Sequence, residues 1–277
     1  MSTPVWSVIG NSVTGTSHQL RGRGCEDSFG WHLGADLVAM AVADGAGSRP
    51  HAELGSRMAV STILDWIRDA APTPDGTDLA AGFGHVRTAL ADAAAGVPCD
   101  PDDLATTLGV VVVGPDLVEV AQVGDTIIVV RRADGSLVIP SPPETFEYVN
   151  ETVFVTADSA LTHLRVDRYP TGTVTGAALS TDGLRFKILG DLATYQPYAP
   201  FFDDIFRYAG HEGANDAAVG RFLAGLDDQS GDDKTLVIAV SGEGPAGGPG
   251  GRSERRVVGP HPGEPVGDRA SGQPGPG

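Results

Sequence analysis

Cysteine is scarce in this chain of 277 residues, where Cys25 and Cys99 are the only two. Neither stands in a CxxC pair or a histidine-rich context, so we expect no disulfide framework and no zinc site. Long apolar runs are also missing, because no segment approaches the ~18 apolar residues that a membrane-spanning helix needs. The N-terminus lacks a basic region followed by an apolar core. We therefore expect a cytoplasmic protein that contacts no membrane.

Basic residues are few relative to acids. The chain has 19 Lys and Arg against 36 Asp and Glu, and its formal net charge is -17. Arginines and acids balance within residues 241–277, so the acidic excess lies in residues 1–240. A nucleic-acid surface would need clustered Lys and Arg to neutralise phosphates, so we expect no nucleic-acid partner. A cation site is compatible with this charge.

The composition divides the chain into one domain and a tail. A hydrophobic content of 41% suits a single large domain, which we place at residues 1–240. From Ser241 onward more than half of the residues are Gly or Pro, without a collagen period. This composition predicts a disordered tail over residues 241–277.

One stretch contains the central candidate residue of the chain. Seven apolar residues at 37–43 predict a strand buried on both faces, and the run ends at Asp44. Gly45 and Gly47 permit a tight turn that leaves backbone carbonyls open to a ligand. Ser48 is a suitable N-cap for a helix that extends to about residue 67. Asp44 is therefore expected where a buried strand emerges.

The remaining pattern predicts paired helices between runs of hairpin-linked strands. The segments 108–113, 117–123 and 126–130 predict an antiparallel meander, with a further hairpin turn at 133–135. Other predicted strands are 5–9, 29–32, 153–155, 174–180 and 236–240, and other predicted helices are 79–90, 184–210 and 219–226. The absence of regular βαβ alternation indicates a layered α+β fold with antiparallel sheets.

Several acids stand at strand or turn boundaries: Glu26, Asp27, Asp44, Asp125, Asp182 and Asp232. Carboxylate oxygens without His or Cys neighbours suit hard cations such as Mg²⁺ or Mn²⁺. Grouped acids without a cation would repel one another. Two metals ~3.5–4 Å apart relieve that repulsion, activate water and stabilise in-line displacement at phosphorus. A single Asp-Gly is more often a turn, and we interpret 75–76 and 134–135 in that way.

Short motifs around these acids resemble those of the type 2C metal-dependent Ser/Thr protein phosphatases, in the bacterial form with a short second motif. In order they are Glu26-Asp27, Val42-Ala-Asp44-Gly45-Ala-Gly-Ser48, Ala105-Thr-Thr-Leu108, Val123-Gly-Asp125-Thr126, Leu179-Ser-Thr-Asp182-Gly-Leu184 and Asp232-Asp-Lys-Thr-Leu236. Each motif alone is weak. Their common order over residues 5–240 makes the resemblance specific.

The resemblance implies a four-layer α-β-β-α sandwich, in which two antiparallel sheets lie between helix pairs. It also implies two Mn²⁺ or Mg²⁺ ions and a third, weaker site. Asp44 would bridge both ions, and the Gly45 carbonyl and Glu26 would serve one of them. Asp182 and Asp232 would hold the other, while Asp125 would share the weaker site with Asp182.

The resemblance assigns further roles and also shows two departures. Asp27 would orient metal-bound water. Asp233 would contact the metal ligands without binding a metal itself. The phosphate-binding Arg of many members is replaced by Gly22, which leaves Arg21 or Arg23 as substitutes. The His of the eukaryotic second motif is Ala46, so we consider His18 as the proton donor or phosphate contact. A structural role for a lone His is the alternative.

The function that these expectations favour is hydrolysis of phosphoserine and phosphothreonine in proteins by a metal-bridging hydroxide, opposite a Ser/Thr kinase. The alternative is a catalytically weak relative that binds phosphoproteins or regulates them. The intact acids favour the enzyme, whereas Gly22 and Ala46 favour the alternative. We expect substrate targeting to come from neighbouring proteins or from surface loops such as residues 184–210.

Overall fold

A computed structural model describes residues 5–34, 36–70, 73, 75–96, 99–140, 142, 152–242 and 255–258. Its strands are β1 (Val5–Val13), β2 (Asp27–Leu33), β3 (Val38–Asp44), β4 (Leu108–Val113), β5 (Leu117–Val123), β6 (Ile127–Arg132), β7 (Leu137–Val138), β8 (Arg165–Pro170), β9 (Val174–Ser180), β10 (Leu189–Asp191), β11 (Gln196–Pro197), β12 (Lys234–Gly242) and β13 (Arg255–Val258).

The helices lie between these strands in groups. They are α1 (Thr16–Leu20), α2 (Ala52–Ala70), α3 (Leu79–Gly96), α4 (Arg185–Ile188), α5 (Ala199–Ala209) and α6 (Asp216–Gly225). Short 3-10 turns occur at Pro101–Leu104, Ala160–Thr162, Thr171–Thr173 and Asp182–Leu184. Among the described residues, no helix is both long and apolar enough to cross a bilayer.

Two antiparallel sheets form the centre of the domain. The front sheet has the strand order β13-β2-β3-β4-β5-β8, and the back sheet has the order β1-β12-β9-β6-β7. The strands β10 and β11 form a separate two-stranded hairpin. In the front sheet, β2 and β3 pair so that Asp27 lies opposite Asp44. In the back sheet, β1 pairs with β12 at the other end of the domain sequence.

Alternation along β3 shows why its residues are all apolar. Ala39, Ala41 and Ala43 face outward and pack in one core with α2 and α3. Met40 and Val42 face inward and pack against the back sheet in a second core. Successive side chains of a strand point to opposite faces, so a strand covered on both sides needs apolar residues at every position.

The outer face of the back sheet is covered in the same way. Ile127, Val129 and Ile238 pack in a third core with Phe202 of α5 and Leu223 of α6. The layers are therefore α2 and α3, the front sheet, the back sheet, and α5 and α6. This arrangement confirms the predicted α+β sandwich of two antiparallel sheets flanked by helix pairs.

The predicted meander of three strands is wrong. The strands β4 and β5 pair as expected, but β6 leaves the front sheet and pairs with β9 and β7 in the back sheet. Gly124 has a φ of 101° at the crossing point, a conformation that favours glycine. A Cβ there would also lie 2.6 Å from the Thr107 Cγ2. The predicted hairpin at 133–135 is confirmed, and it joins β6 to β7.

Other predicted elements also differ. Helix α2 begins at Ala52 rather than after Ser48, because the Arg49 N–H binds the Ala46 carbonyl and the His51 N–H binds that of Asp103. The predicted strand at 153–155 is not a strand in the structure, and Val155 makes a single backbone bond to Thr106. The predicted helix over 184–210 is split by the β10–β11 hairpin, which Gly190 and Pro197 favour over a helix.

The tail is not irregular throughout. Residues 255–258 form the edge strand β13 and pair with β2, so the prediction of disorder is wrong for them. Their sequence contains two adjacent valines, which favour an extended chain. Residues 243–254 and 259–277 of the predicted tail lie outside the described residues.

Candidate metal centre

The end of β3 is anchored by two threonines. The Asp44 N–H donates to the Thr107 Oγ1 at 3.0 Å. The Asp44 carbonyl accepts from the Thr107 N–H and the Thr106 Oγ1, each at 2.9 Å. Both threonines are buried. They fix the backbone of Asp44 where the strand leaves the sheet.

Glycine is required immediately after Asp44. A Cβ on Gly45 would lie 2.6 Å from the Ala52 carbonyl oxygen and 2.8 Å from that of Glu26. The Gly45 N–H donates to the Glu26 carbonyl at 3.2 Å, and the Ser56 Oγ donates to the same oxygen at 2.6 Å. The backbones of Glu26 and Gly45 are thereby held side by side.

The predicted acids converge on Asp44. Burial raises its pKa most, and the charges of neighbouring acids raise it further, in the order Asp27, Asp182, Asp232 and Asp125. These acids come from the start of β2, the end of β9, the entry to β12 and the β5–β6 crossing. Distant segments of the chain therefore place five carboxylates in one site.

Asp182 shares this environment. Its pKa is raised to about 6 by burial and by the charges of Asp125 and Asp232. Arg185 opposes the shift, and its Nη1 donates to the Asp182 Oδ2 at 2.9 Å. Sequence analysis did not identify Arg185, although its position three residues after Asp182 at a helix start was a usable signal. One half-exposed arginine does not balance this many acids.

Glu26 supplies an observation that points to a cation. Its side chain is buried, and its Oε2 has no hydrogen-bond partner among the described residues. Burial raises its pKa most, Arg23 and His18 lower it, and Asp233 and Asp232 raise it. A buried oxygen without a donor is costly unless a ligand satisfies it. Together with the carboxylates and the Gly45 carbonyl, it completes an all-oxygen donor set that fits a hard divalent cation.

Asp27 lies beneath the acids. Its Oδ2 accepts hydrogen bonds from the Thr181 Oγ1 at 2.8 Å and the Thr235 Oγ1 at 2.6 Å. Burial raises its pKa well above the usual range, and the nearby charge of Asp233 adds to that effect. The two hydroxyls hold the carboxyl group in one orientation toward Asp44.

His18 is held at the edge of the cluster by Asp233. The His18 Nδ1 lies 2.9 Å from the Asp233 Oδ2, and its Nε2 lies 3.8 Å from the Asp232 Oδ1. Asp233 also accepts the Gly15 N–H at 2.7 Å and the Glu26 N–H at 2.6 Å. The potential ligand atoms of His18, Asp232 and Asp233 all lie within 4.8 Å of one another. Asp233 therefore orders two other groups of the site.

The two candidate phosphate-binding arginines lie in different places. Arg23 forms an ion pair with Glu26 and donates to the carbonyls of Gly47 and Arg49. Arg21 is exposed at the C-terminal end of α1. The structure thus brings Arg23 to the site, already engaged with protein groups, and gives Arg21 no contact with the cluster among the described residues.

Asp125 lies at the opposite edge of the cluster. Its Oδ2 accepts a hydrogen bond from the Thr152 Oγ1 at 3.0 Å, and the preceding Gly124 carbonyl accepts from the Arg165 Nη2 at 2.6 Å. The carboxylate is half-buried and faces both Asp44 and Asp182. Asp125, Asp44 and Asp182 therefore influence one another electrostatically.

The chain is similar to known proteins at the level of a family model and of the fold. A family model described as protein phosphatase 2C matches residues 14–224. No curated protein sequence matches the chain.

Solved structures share the fold at low sequence identity. The catalytic domain of the serine threonine protein phosphatase PstP, in complex with two manganese ions, is 20% identical, with a TM-score of 0.59 over 87% of this chain and 100% of that one. Serine/threonine phosphatase Stp1 from Staphylococcus aureus is 16% identical, with a TM-score of 0.59 over 88% and 99%. A bacterial serine phosphatase is 18% identical, with a TM-score of 0.60 over 84% and 97%.

Proposed function

Because the chain belongs to the protein phosphatase 2C family and is therefore a protein-serine/threonine phosphatase, we propose that its acid cluster holds two Mn²⁺ or Mg²⁺ ions for hydrolysis of phosphoserine and phosphothreonine in proteins. The observation that carries the proposal is the environment of Asp44, a half-buried carboxyl that faces four other acids. Such a cluster is unfavourable without cations, and it offers the oxygen ligands that Mn²⁺ and Mg²⁺ accept.

Each acid has a place in this proposal. Asp44 lies centrally and would serve both ions, with Asp182 and Asp232 on one side. Glu26 and the Gly45 carbonyl, held side by side, would serve the other. Asp125 and Asp182 would form a third, weaker site. When bound, the ions supply positive charge that activates water near neutral pH and stabilises the oxygens of an in-line displacement at phosphorus.

Asp27 and His18 would assist that displacement. Asp27, fixed by two threonine hydroxyls, would accept a hydrogen bond from the attacking water and orient it. His18 would donate a proton to the leaving serine or threonine oxygen, since Ala46 has no proton to give. Asp233 would hold the imidazole for this step. Arg23 would reach phosphate only after it leaves Glu26.

The biological setting follows from the same proposal. The substrates would be phosphoproteins, and a Ser/Thr kinase would supply them. Cys25 and Cys99 are free, which suits a reducing compartment such as the cytoplasm.

A turnover assay tests the proposed reaction. Full-length protein is incubated with Mn²⁺ and either a phosphothreonine peptide or p-nitrophenyl phosphate. We expect Mn²⁺-dependent phosphate release that Asp182→Ala reduces by at least ~100-fold, because one ion loses a ligand. Asp134→Ala is the matched control, since Asp134 is an exposed acid in the β6–β7 turn. Tight binding of the phosphopeptide without any release would instead support the phosphoprotein-binding module.

The leaving group tests the role of His18. Nitrophenolate leaves without protonation, whereas a threonine alkoxide needs a proton. We expect His18→Ala to lower kcat on the phosphothreonine peptide by about 100-fold and on p-nitrophenyl phosphate by less than about threefold. Equal losses on both substrates would show that His18 is structural.

A further inference from the structure

A cavity of about 530 Å³ lies at one end of the back sheet. Three segments line it: the β6–β7 turn and β7, the β10–β11 hairpin, and the first turns of α5. The strand β7 is the edge of the back sheet, so its outer backbone groups have no strand partner among the described residues. The cavity is wide enough for side chains and is bordered by an edge to which an extended peptide can bind.

Tyr195 forms part of the cavity wall in an unusual conformation. It is the single described non-glycine residue with a positive φ, at 50°. A bulky residue in this region is strained, and such strain is concentrated at ligand-binding positions. The half-buried side chain packs against the core of α5 and α6, which stabilises this conformation.

The same residue connects the cavity to the acid cluster. The core against which Tyr195 packs includes Ile127 and Leu184, which follow Asp125 and Asp182 by two residues. Burial raises the pKa of the Tyr195 phenol, the charges of Asp125 and Asp182 raise it further, and Arg185 and Arg165 oppose them. Tyr195 therefore lines the cavity and also packs against the core that carries the segments of Asp125 and Asp182.

The cavity and its rim have a defined chemistry. Most of its lining is apolar or uncharged, and its single charged lining residue is Asp203. Three large apolar side chains on the neighbouring segment are exposed: Phe186 by 41%, Leu192 by 46% and Tyr198 by 48%. A cavity of mixed polarity whose single charged residue is an acid favours a ligand that presents an apolar side chain next to a cationic one.

From this juxtaposition we infer that the cavity between β7 and the β10–β11 hairpin is a peptide subsite, which binds an apolar and a basic residue flanking the phosphoresidue of a substrate protein. The inference rests on the proposed function for the phosphate itself. Tyr195 separates the subsite from the acid cluster, and Asp203 selects the basic residue.

Peptide binding tests the subsite. One fluorescent phosphothreonine peptide carries leucine and arginine on both sides of the phosphothreonine, and its counterpart carries glutamate in place of each arginine. Anisotropy in Mn²⁺, with phosphonate versions of both peptides that cannot be hydrolysed, gives the two Kd values for the full-length protein. We expect the arginine peptide to bind at least fivefold more tightly, Asp203→Asn to reduce that ratio, and Asp203→Arg to abolish it.

Asp204→Arg is the matched control, because Asp204 is the next residue of α5, pairs with Arg207 and does not line the cavity. It should keep the wild-type ratio. A wild-type ratio near one, or equal effects of both arginine variants, would overturn the subsite. Hydrolysis with Mn²⁺ is measured in parallel on both peptides and on p-nitrophenyl phosphate. A retained binding ratio with no hydrolysis of any substrate would reject the phosphatase proposal and leave the subsite standing.

Discussion

Two acidic groups of the front sheet, one buried and one half-buried, have opposite surroundings. Glu119 in β5 is 1% exposed and is fully paired: its Oε2 accepts the Thr77 N–H at 2.6 Å, and its Oε1 accepts the Arg168 Nε at 2.9 Å. Asp44 in β3 faces other acids instead. A buried acid whose two oxygens each accept from their own donor stabilises a fold, whereas several acids that face one another indicate a cation site.

Replacing the central acid should produce the largest effect. We expect Asp44→Asn to lower Mn²⁺-dependent turnover by at least ~1000-fold, because the carboxylate proposed to serve both ions is lost. The same change should raise the Tm of the metal-free protein, since it removes repulsion among the acids. Kinetics and thermal unfolding in a chelator measure the two effects. Full turnover in the variant would show that the Asp44 carboxylate is not needed to hold the ions.

Replacing Glu119, the paired acid, should lower stability and leave turnover unchanged. We expect Glu119→Ala to reduce the free energy of unfolding by about 3 kcal/mol, because the buried Thr77 N–H loses its acceptor and Arg168 its partner. Turnover with Mn²⁺ should stay unchanged at a temperature where the variant is folded. Urea unfolding and the same kinetic assay provide the values. A loss of turnover in the folded variant would contradict the contrast between the two groups.

The smallest of these effects should be the pH dependence of the free energy of unfolding. The folded pKa of Asp182 is raised to about 6, above the ordinary 3.8, so the folded state retains a proton that the unfolded chain loses in this window. The contribution of Asp182 to the stability of the metal-free protein should therefore fall as pH rises from about 4 to 6, by at most ~1.4 kcal/mol per pH unit for its one proton, and the raised pKa values of Glu26, Asp27 and Asp44 act in the same direction. Urea midpoints across this range measure the slope. Asp182→Asn should make this slope less steep.

The sequence was sufficient to locate the acids but not their surroundings. Asp44, Asp125 and Asp182 follow β-favouring runs. The local sequence therefore predicts that each of them lies at the end of a strand. Glu119 was not recognised as a paired acid, because its partner Arg168 lies in β8, a strand that the pattern did not predict. Cross-strand pairs depend on register, which no local pattern contains.

The larger errors of the sequence-based prediction also arise from contacts between distant segments. The sequence at 117–130 favours two strands joined by a tight turn, yet the chain changes sheets at Gly124, so that β5 pairs with β8 in the front sheet and β6 pairs with β9 in the back sheet. The hairpin that carries Tyr195 interrupts a segment with helical spacing, and the positive φ of Tyr195 is imposed by tertiary packing. Which sheet a strand joins, and which residue adopts a strained conformation, depend on contacts throughout the fold.

The pairing of β1 with β12 determines when the protein can become active during its synthesis. The two strands lie more than 200 residues apart in the chain, and β12 also provides the neighbour of β9. Contacts between such distant segments form slowly, since a long loop must close first. The back sheet is therefore incomplete until residue 242 has left the ribosome. A nascent chain that lacks β12 cannot complete the back sheet, so we expect catalysis only after β12 has paired with β1 and β9.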